Sequence, residues 1–206
     1  MVSARSLYIG CIASIGVSSA FQSSHVLRPR SATRGTTLSD SASDVEDFLA
    51  ANYPSSSNFF AKNGDVMKQI IKAEVGFTIF APNEAAFAEL GEKKRDQLSD
   101  VRNEELTGKV AQHHVILEPV TADQIFNSGG VVTEGGEVPV ERSISGGMFG
   151  VGGKEDGGVT LNGAKVVKSF EFADATKIGI IHEVDGLVSP STLWRYADQL
   201  RIPGSQ

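Results

Sequence analysis

The chain has 206 residues, 40% of them hydrophobic, and its 19 basic and 25 acidic side chains give a formal net charge of −6. Residues 1–39 contain four arginines and no acidic residue, so residues 40–206 carry 15 basic against 25 acidic side chains, a net charge of −10. Such a surface repels phosphate backbones and anionic lipid headgroups, which argues against nucleic acid or a membrane surface as the partner. The one cysteine, Cys11, lies in an apolar N-terminal stretch, so the remaining chain has no disulfide and no thiolate for a metal or for catalysis.

Residues 1–20 have the layout of a secretory signal peptide. Arg5 precedes an apolar stretch from Leu7 to Val17, and Ser18-Ser19-Ala20 supplies a small-residue cleavage site. The apolar stretch is too short for a stable transmembrane helix. A buried N-terminal helix would have the same hydropathy, but the three parts in this order favour a signal peptide. We therefore expect no integral membrane segment in the mature chain.

Residues 21–42 form a second targeting-like or disordered segment that begins with Phe21. It is rich in Arg, Ser and Thr, and its first carboxylate is Asp40. This composition is typical of organelle transit peptides. Together with residues 1–20 it resembles the two-part plastid presequence of algae whose plastids derive from a red alga. The resemblance implies a plastid location, in the stroma or at the outer thylakoid face; the alternative is a secreted protein with a basic linker.

Residues 43–190 read as one domain, and its first half is mainly helical. "SDVEDFLAAN" opens with a capping-box spacing between Ser43 and Glu46. In "DVMKQIIKA" a single helical face holds the apolar side chains Val66, Met67, Ile70 and Ile71.

A short buried strand and further helices are predicted next. "GFTIFAP" has the composition of a strand that ends at Pro82, and Asn83 is placed to cap the helix "EAAFAEL". "EKKRDQLSD" and "NEELTGKVAQHH" are polar helical stretches, and Thr121 with Gln124 forms a second capping-box spacing.

After Asn127, frequent glycines and the alternation of apolar and polar residues predict strands. "VVTEGGEVPVERSIS" reads as a hairpin that turns on Gly135-Gly136, and "GVTLNGAKVVKSFEF" as one that turns on Asn162-Gly163. "KIGIIHEVDGLV" alternates, with His182 on the apolar face, and residues 191–206 contain a final amphipathic helix, "STLWRYADQL". Helices followed by antiparallel strands predict an α+β domain.

Four of these stretches together resemble a fasciclin domain. They are "GFTIFAPNEAAFAEL", "HHV", "VTLNGAKVV" and "IGIIHEVDGLVSP", in the family's order and at about its spacing. The resemblance covers roughly residues 45–190, one complete domain without a repeat. It implies a β-sandwich-like wedge of about seven strands with helices packed along one side. It also implies a role in protein–protein contact or adhesion.

The three histidines of the domain are interpreted as structural. His113 and His114 continue the apolar helical face of Leu106 and Val110, and His182 continues the inward face of its strand. A zinc site needs three or four ligands, and neither Cys nor HExxH spacing supplies them. His113 and His114 lie at the position of the family's Tyr-His pair, with His113 in place of the tyrosine. His182, Asn83, Asn162 and Asp185 also lie at motif positions, and the resemblance implies that these residues are structural. We therefore predict no catalytic residue, metal or cofactor.

Two segments outside the best-matched motifs are the predicted partner-binding sites. "SGGMFGVGGKEDGG" fits neither a phosphate-binding loop nor a dinucleotide fingerprint, and it offers Met148 and Phe149 on a glycine-rich connection. The C-terminal helix carries Trp194, Arg195 and Tyr196, residue types that dominate interface energies. The alternatives are a flexible hairpin connection and a helix that packs back on the domain.

The sequence thus predicts a non-enzymatic protein-interaction or adhesion module whose protein partner it does not identify. Two alternatives remain open at this point. One is a secreted adhesion protein, and the other, of a different class, is a small-molecule or pigment-binding domain or a hydrolase that uses a cleft near His113 and His114.

Overall fold

The computed structural model describes residues 40–145, 154–173 and 177–200. Residues 1–39 of the predicted presequence, and Met148 and Phe149, lie outside these residues. The elements in chain order are α1 (Asp40–Asn52), α2 (Pro54–Lys62), α3 (Gly64–Lys72), β1 (Gly76–Pro82), α4 (Glu84–Glu89), α5 (Gly91–Ser99), a 3₁₀ turn (Val101–Asn103), α6 (Glu104–Gln112), β2 (Val115–Ile116), α7 (Ala122–Asn127), β3 (Gly130–Thr133), β4 (Gly136–Ser145), β5 (Lys154–Leu161), β6 (Ala164–Ala173), β7 (Ile178–Val184) and α8 (Ser191–Leu200).

Within the described residues, seven strands form one mixed sheet in the order β2-β1-β7-β6-β5-β4-β3. Its two edge strands approach each other, because the Glu134 N–H, directly after β3, donates to the Val115 carbonyl of β2 at 2.9 Å. The sheet is therefore curled into a nearly closed barrel. The α+β class and the seven strands expected from the sequence are confirmed.

One pairing in the sheet differs from the antiparallel arrangement that the sequence suggested. β1 pairs with β7 in parallel over their whole lengths, from Gly76 opposite Ile178 to Pro82 opposite Val184. The connection between these two strands contains most of the domain. The first and the last strands of the chain thus lie side by side in the sheet.

Two apolar cores lie on the two faces of the sheet. The helix-side core joins α1, α2, α3 and α6 to one face of β1 and β7 through residues such as Leu49, Phe60 and Ile79. The barrel core fills the other face, and Phe80, Leu161 and Val184 are among its members. Alternate residues of β1 enter opposite cores, as the two-residue period of a strand requires.

Local sequence signals account for several element boundaries. The Asn83 side chain accepts a hydrogen bond from the Ala86 N–H at 2.9 Å and so caps α4. Thr121 and Gln124 form the predicted capping box of α7. Asn162 has a φ of 50° and Gly163 a φ of 90°, which are the positive values that a tight two-residue hairpin requires.

Four expectations from the sequence were wrong in detail. α1 begins at Asp40, so Ser43 lies inside the helix and does not precede it. The β3–β4 turn consists of Glu134 and Gly135, because Gly136 already pairs with Thr133. Ile71 is 51% exposed, since the buried face of α3 ends with Ile70. α2 was not foreseen: its serine-rich start resembles a loop, but Pro54 at the first helical turn and the buried Phe59 and Phe60 define a helix.

Candidate functional site

His114 is completely buried in the helix-side core, and both of its ring nitrogens have main-chain partners. Nδ1 lies 2.8 Å from the Val110 carbonyl, and Nε2 accepts a hydrogen bond from the Val188 N–H at 3.0 Å. A carbonyl only accepts, so the proton is on Nδ1 and the ring is neutral. Complete burial lowers the pKa of His114 to about 4. The ring therefore joins the end of α6 to the segment after β7.

His182 has the opposite tautomer on the barrel side of β7. Its Nε2 donates to the Val120 carbonyl at 2.8 Å, and its Nδ1 accepts from the Ser169 hydroxyl at 2.7 Å. The ring stacks on Phe80, with centroids 5.5 Å apart. Burial lowers the pKa of His182. A hydroxyl that donates to an imidazole is an arrangement used for nucleophilic catalysis, but here the imidazole is fully buried within the sheet.

His113 packs where the two edges of the sheet approach. Its Nδ1 lies 3.4 Å from the Thr133 hydroxyl, which itself donates to the Gly136 carbonyl at 2.6 Å. A Cβ on Gly135 would lie only 2.7 Å from the backbone nitrogen of His113, so this turn must have a glycine beside the ring. Burial lowers the pKa of His113.

The other motif residues predicted from the family make local turn and cap contacts. The Asn162 amide donates to the Ser189 carbonyl at 2.6 Å, and the Asp185 carboxylate accepts from the Lys165 N–H at 2.6 Å. Asn83 also donates to the carboxylate of Glu183 at 3.2 Å. These contacts hold the β5–β6 hairpin and the end of β7 in place, so the motif residues are spread over the frame of the domain and do not converge on one cleft.

A hydroxyl–carboxylate contact was missed by the sequence analysis. The Tyr53 hydroxyl donates to Glu183 at 2.8 Å, and burial, with this contact, raises the pKa of Tyr53 above its usual range. No sequence signal links these residues, which lie 130 positions apart. Their contact ties the α1–α2 junction to β7.

Within the described residues, no group of three or more His, Cys, Asp or Glu side chains is arranged to hold a metal ion. In the same part of the chain, no helix combines the length and the hydropathy needed to cross a membrane.

The C-terminal helix α8 packs on α5 through part of its predicted binding surface. The Trp194 indole N–H donates to the Ser189 hydroxyl at 2.9 Å, and Lys94 lies 5.0 Å from the centre of its ring. Lys93 pairs with Asp198 at 2.7 Å, which lowers the pKa of that carboxylate. Arg195 and Tyr196 are exposed, Tyr196 by 54%. Of the three predicted side chains, Trp194 is thus engaged within the domain and two face outward.

An open groove of about 190 Å³ lies on the far side of α5, between α2 and α4. Phe59, Phe87 and Leu98 supply its apolar surface, and Lys62 and Arg95 are its charged side chains. The sequence analysis missed this groove because its residues come from three helices and form no motif. α5 gave no signal, because Leu98 is the one apolar side chain in its otherwise polar sequence.

Comparisons with known proteins identify the family of this chain and proteins that it resembles. A family model described as "Fasciclin domain" matches residues 54–190. Protein sll1483 of Synechocystis sp. is 29% identical over 161 residues, which are 78% of this chain and 81% of that protein. A solved FAS1 domain pair from the insect cell adhesion molecule fasciclin I covers 72% of this chain with 16% identity and a TM-score of 0.41. The match spans 45% of the length of that two-domain chain.

Proposed function

We propose that this chain, which belongs to the fasciclin domain family, is a non-enzymatic domain that acts by binding another protein. The family match to residues 54–190, more than half of the chain, carries the proposal. Fasciclin domains typically serve in adhesion and protein interaction. The buried histidines support it, since each ring nitrogen of His114 and His182 already has a partner inside the domain.

The contact surface that we propose consists of the outer side of α8 and the glycine-rich segment with Met148 and Phe149. Arg195 and Tyr196 are exposed on α8, and arginine and tyrosine are enriched among the residues that dominate binding energies. The helix itself is held on the domain by Trp194 and by the Lys93–Asp198 pair. A partner would therefore meet a helix that is already held in place, which lowers the entropic cost of binding.

We further propose that the protein works in an algal plastid, in the stroma or at the outer thylakoid face. The acid-free, arginine- and serine-rich composition of residues 21–39, after a signal-peptide layout, supports this location. A fluorescent protein fused after Gln206 should enter the plastid, and Phe21→Ala should block its entry. Entry of the Phe21→Ala fusion would contradict the plastid-specific part of the proposal. Secretion of the wild-type fusion would establish the extracellular alternative.

The binding proposal is tested by identifying what co-purifies with the tagged full-length chain and measuring its affinity. Arg195→Ala with Tyr196→Ala should weaken binding at least tenfold, since each hot-spot residue contributes about 1–2 kcal/mol. Val167→Ala with Lys168→Ala is the matched control, because both side chains are exposed on β6. Equal affinity of the two double variants would remove α8 from the proposed surface. Turnover of a substrate by the pure protein would overturn the non-enzymatic assignment.

A further inference from the structure

The geometry points to the groove between α2, α4 and α5 as a docking pocket for a protein partner. The partner would insert one apolar side chain into the groove and place carboxylates on either side of it. This inference rests on the proposed function and specifies what such a partner presents. The two charged residues of the groove, Lys62 and Arg95, lie outside the four fasciclin-like stretches, whereas Phe87 lies within the first of them.

The apolar surface of the groove is held rigidly from below. The Phe59 ring is 6% exposed and meets the Phe87 ring edge-on, with centroids 6.1 Å apart. On its other side it meets His114, with centroids 5.7 Å apart, and that imidazole is fixed by two main-chain hydrogen bonds. The surface that an incoming side chain would touch is therefore preformed, and little ordering is needed on binding.

The charged side chains of the groove are both cationic, although residues 40–206 have a net charge of −10. None of the eight side chains that line it is acidic. Elsewhere on α5, Lys93 pairs with Asp198 and Lys94 lies over Trp194. Across the part of the chain that the structure describes, by contrast, no ion pair involves Lys62 or Arg95. Two unpaired cations beside an apolar surface are complementary to carboxylates beside an apolar side chain.

The size of the groove favours a side chain over a whole ligand. Its 190 Å³ is below the roughly 300–1,000 Å³ that is typical of pockets for drug-sized molecules. It is the space of about six water molecules, since each water occupies about 30 Å³ in the liquid. One large aliphatic or aromatic side chain fills such a volume, as the central anchors of protein interfaces do.

The groove is separated from α8, part of the surface proposed for partner binding, by the single helix α5. α5 contributes Arg95 and Leu98 to the groove and Lys93, Lys94 and Gln97 to the contact with α8. A partner that covers the outer side of α8 therefore reaches the groove across a single helix.

The test uses the full-length chain, labelled with ¹⁵N, and a capped pentapeptide with a central phenylalanine between aspartates. We expect amide shifts centred on α2, α4 and α5, with half-saturation at about 1 mM peptide, a dissociation constant that corresponds to about 4 kcal/mol of binding free energy. Two control peptides replace the aspartates with asparagine or the phenylalanine with alanine. Each control peptide should bind at least threefold more weakly than the original peptide, because it lacks either the aspartates or the phenylalanine.

Lys62→Gln and Arg95→Gln replace the charged end of the side chain with a neutral amide on a shorter side chain. Each should weaken binding of the acidic peptide about threefold, and the double variant about tenfold, as expected for exposed charge pairs. Lys168→Gln, an exposed change of the same charge on β6, should leave the affinity unchanged. Exposed side chains such as these leave the fold intact, which the spectra themselves report.

Three results would overturn the inference. They are no shifts at about 5 mM peptide, shifts confined to the arginines of residues 21–39, and equal loss of affinity in the Lys168→Gln control. The proposed function would survive any of them if Arg195→Ala with Tyr196→Ala still weakens binding of the co-purified partner at least tenfold. If the peptide binds the groove but no protein partner is found, the groove is a binding site and the protein-binding function fails.

Discussion

The buried histidines and the outer helices α5 and α8 use polar side chains in opposite ways. His114 has main-chain partners on both nitrogens and is completely buried, and His182 is held as closely by Val120 and Ser169. Arg95 and Tyr196, on the outer helices, are exposed and contribute little to the interior. A polar group whose partners are fixed inside the protein adds stability, whereas one directed at solvent remains available to another molecule.

The largest expected effect is that of His114→Ala. This change leaves the Val110 carbonyl and the Val188 N–H without their buried partner and removes the ring that supports Phe59. We expect the free energy of unfolding to fall by about 2–3 kcal/mol, measured by urea denaturation. A loss below about 0.5 kcal/mol, the level of surface substitutions, would contradict the structural role of His114. So would one equivalent of bound metal that this variant loses.

Acidification should have the next largest effect. The pKa of His114 is about 4 in the folded protein and about 6.5 in the unfolded chain. The unfolded chain therefore binds the proton more tightly, so stability is complete above pH 6.5 and declines as the pH falls toward 4. His114 alone should lower the free energy of unfolding by about 2 kcal/mol between pH 7 and 5. The lowered pKa values of His113 and His182 act in the same direction.

The matched control for the pH effect is the His114→Ala variant itself. Between pH 7 and 5 the free energy of unfolding of this variant should fall less steeply than that of the wild-type chain. The difference in slope corresponds to up to one proton taken up on unfolding. Identical pH profiles for the variant and the wild-type chain would show that another group causes the change.

Trp194→Ala should have a smaller effect on stability. It removes the hydrogen bond to Ser189 and the contact with Lys94, which together are worth about 1–2 kcal/mol. The loss of stability is measured by thermal denaturation of the full-length chain. If stability does not change while partner binding is lost, Trp194 is a binding residue despite its contacts within the domain. Lower stability with unchanged partner binding would limit the role of Trp194 to holding α8 on the domain.

The smallest effect on stability is expected for Arg195→Ala with Tyr196→Ala, whose side chains face solvent. The free energy of unfolding should change by less than about 0.5 kcal/mol. A larger loss would show that the outer side of α8 belongs to the folded core, and the contrast between the two regions would then fail.

Features set by neighbouring residues could be predicted from the sequence. The cap at Asn83, the capping box at Thr121 and the hairpin at Asn162-Gly163 each depend on residues within a few positions. Contacts between distant residues could not be predicted from the sequence, because hydrophobic periodicity carries no information about which helices and strands meet. The bond of His114 to Val188 joins residues 74 positions apart, and the groove combines three helices, one of which, α2, was not foreseen.

The parallel pairing of β1 with β7 has a consequence for the order in which the chain folds. β7 lies between β1 and β6 in the sheet, so a nascent chain that ends before Ile178 has a gap where the last strand belongs. Both flanking strands then expose unpaired backbone groups, a condition that favours pairing with other chains. Because its central pairing joins residues about a hundred positions apart, the domain should fold slowly and late, after synthesis of nearly the whole chain.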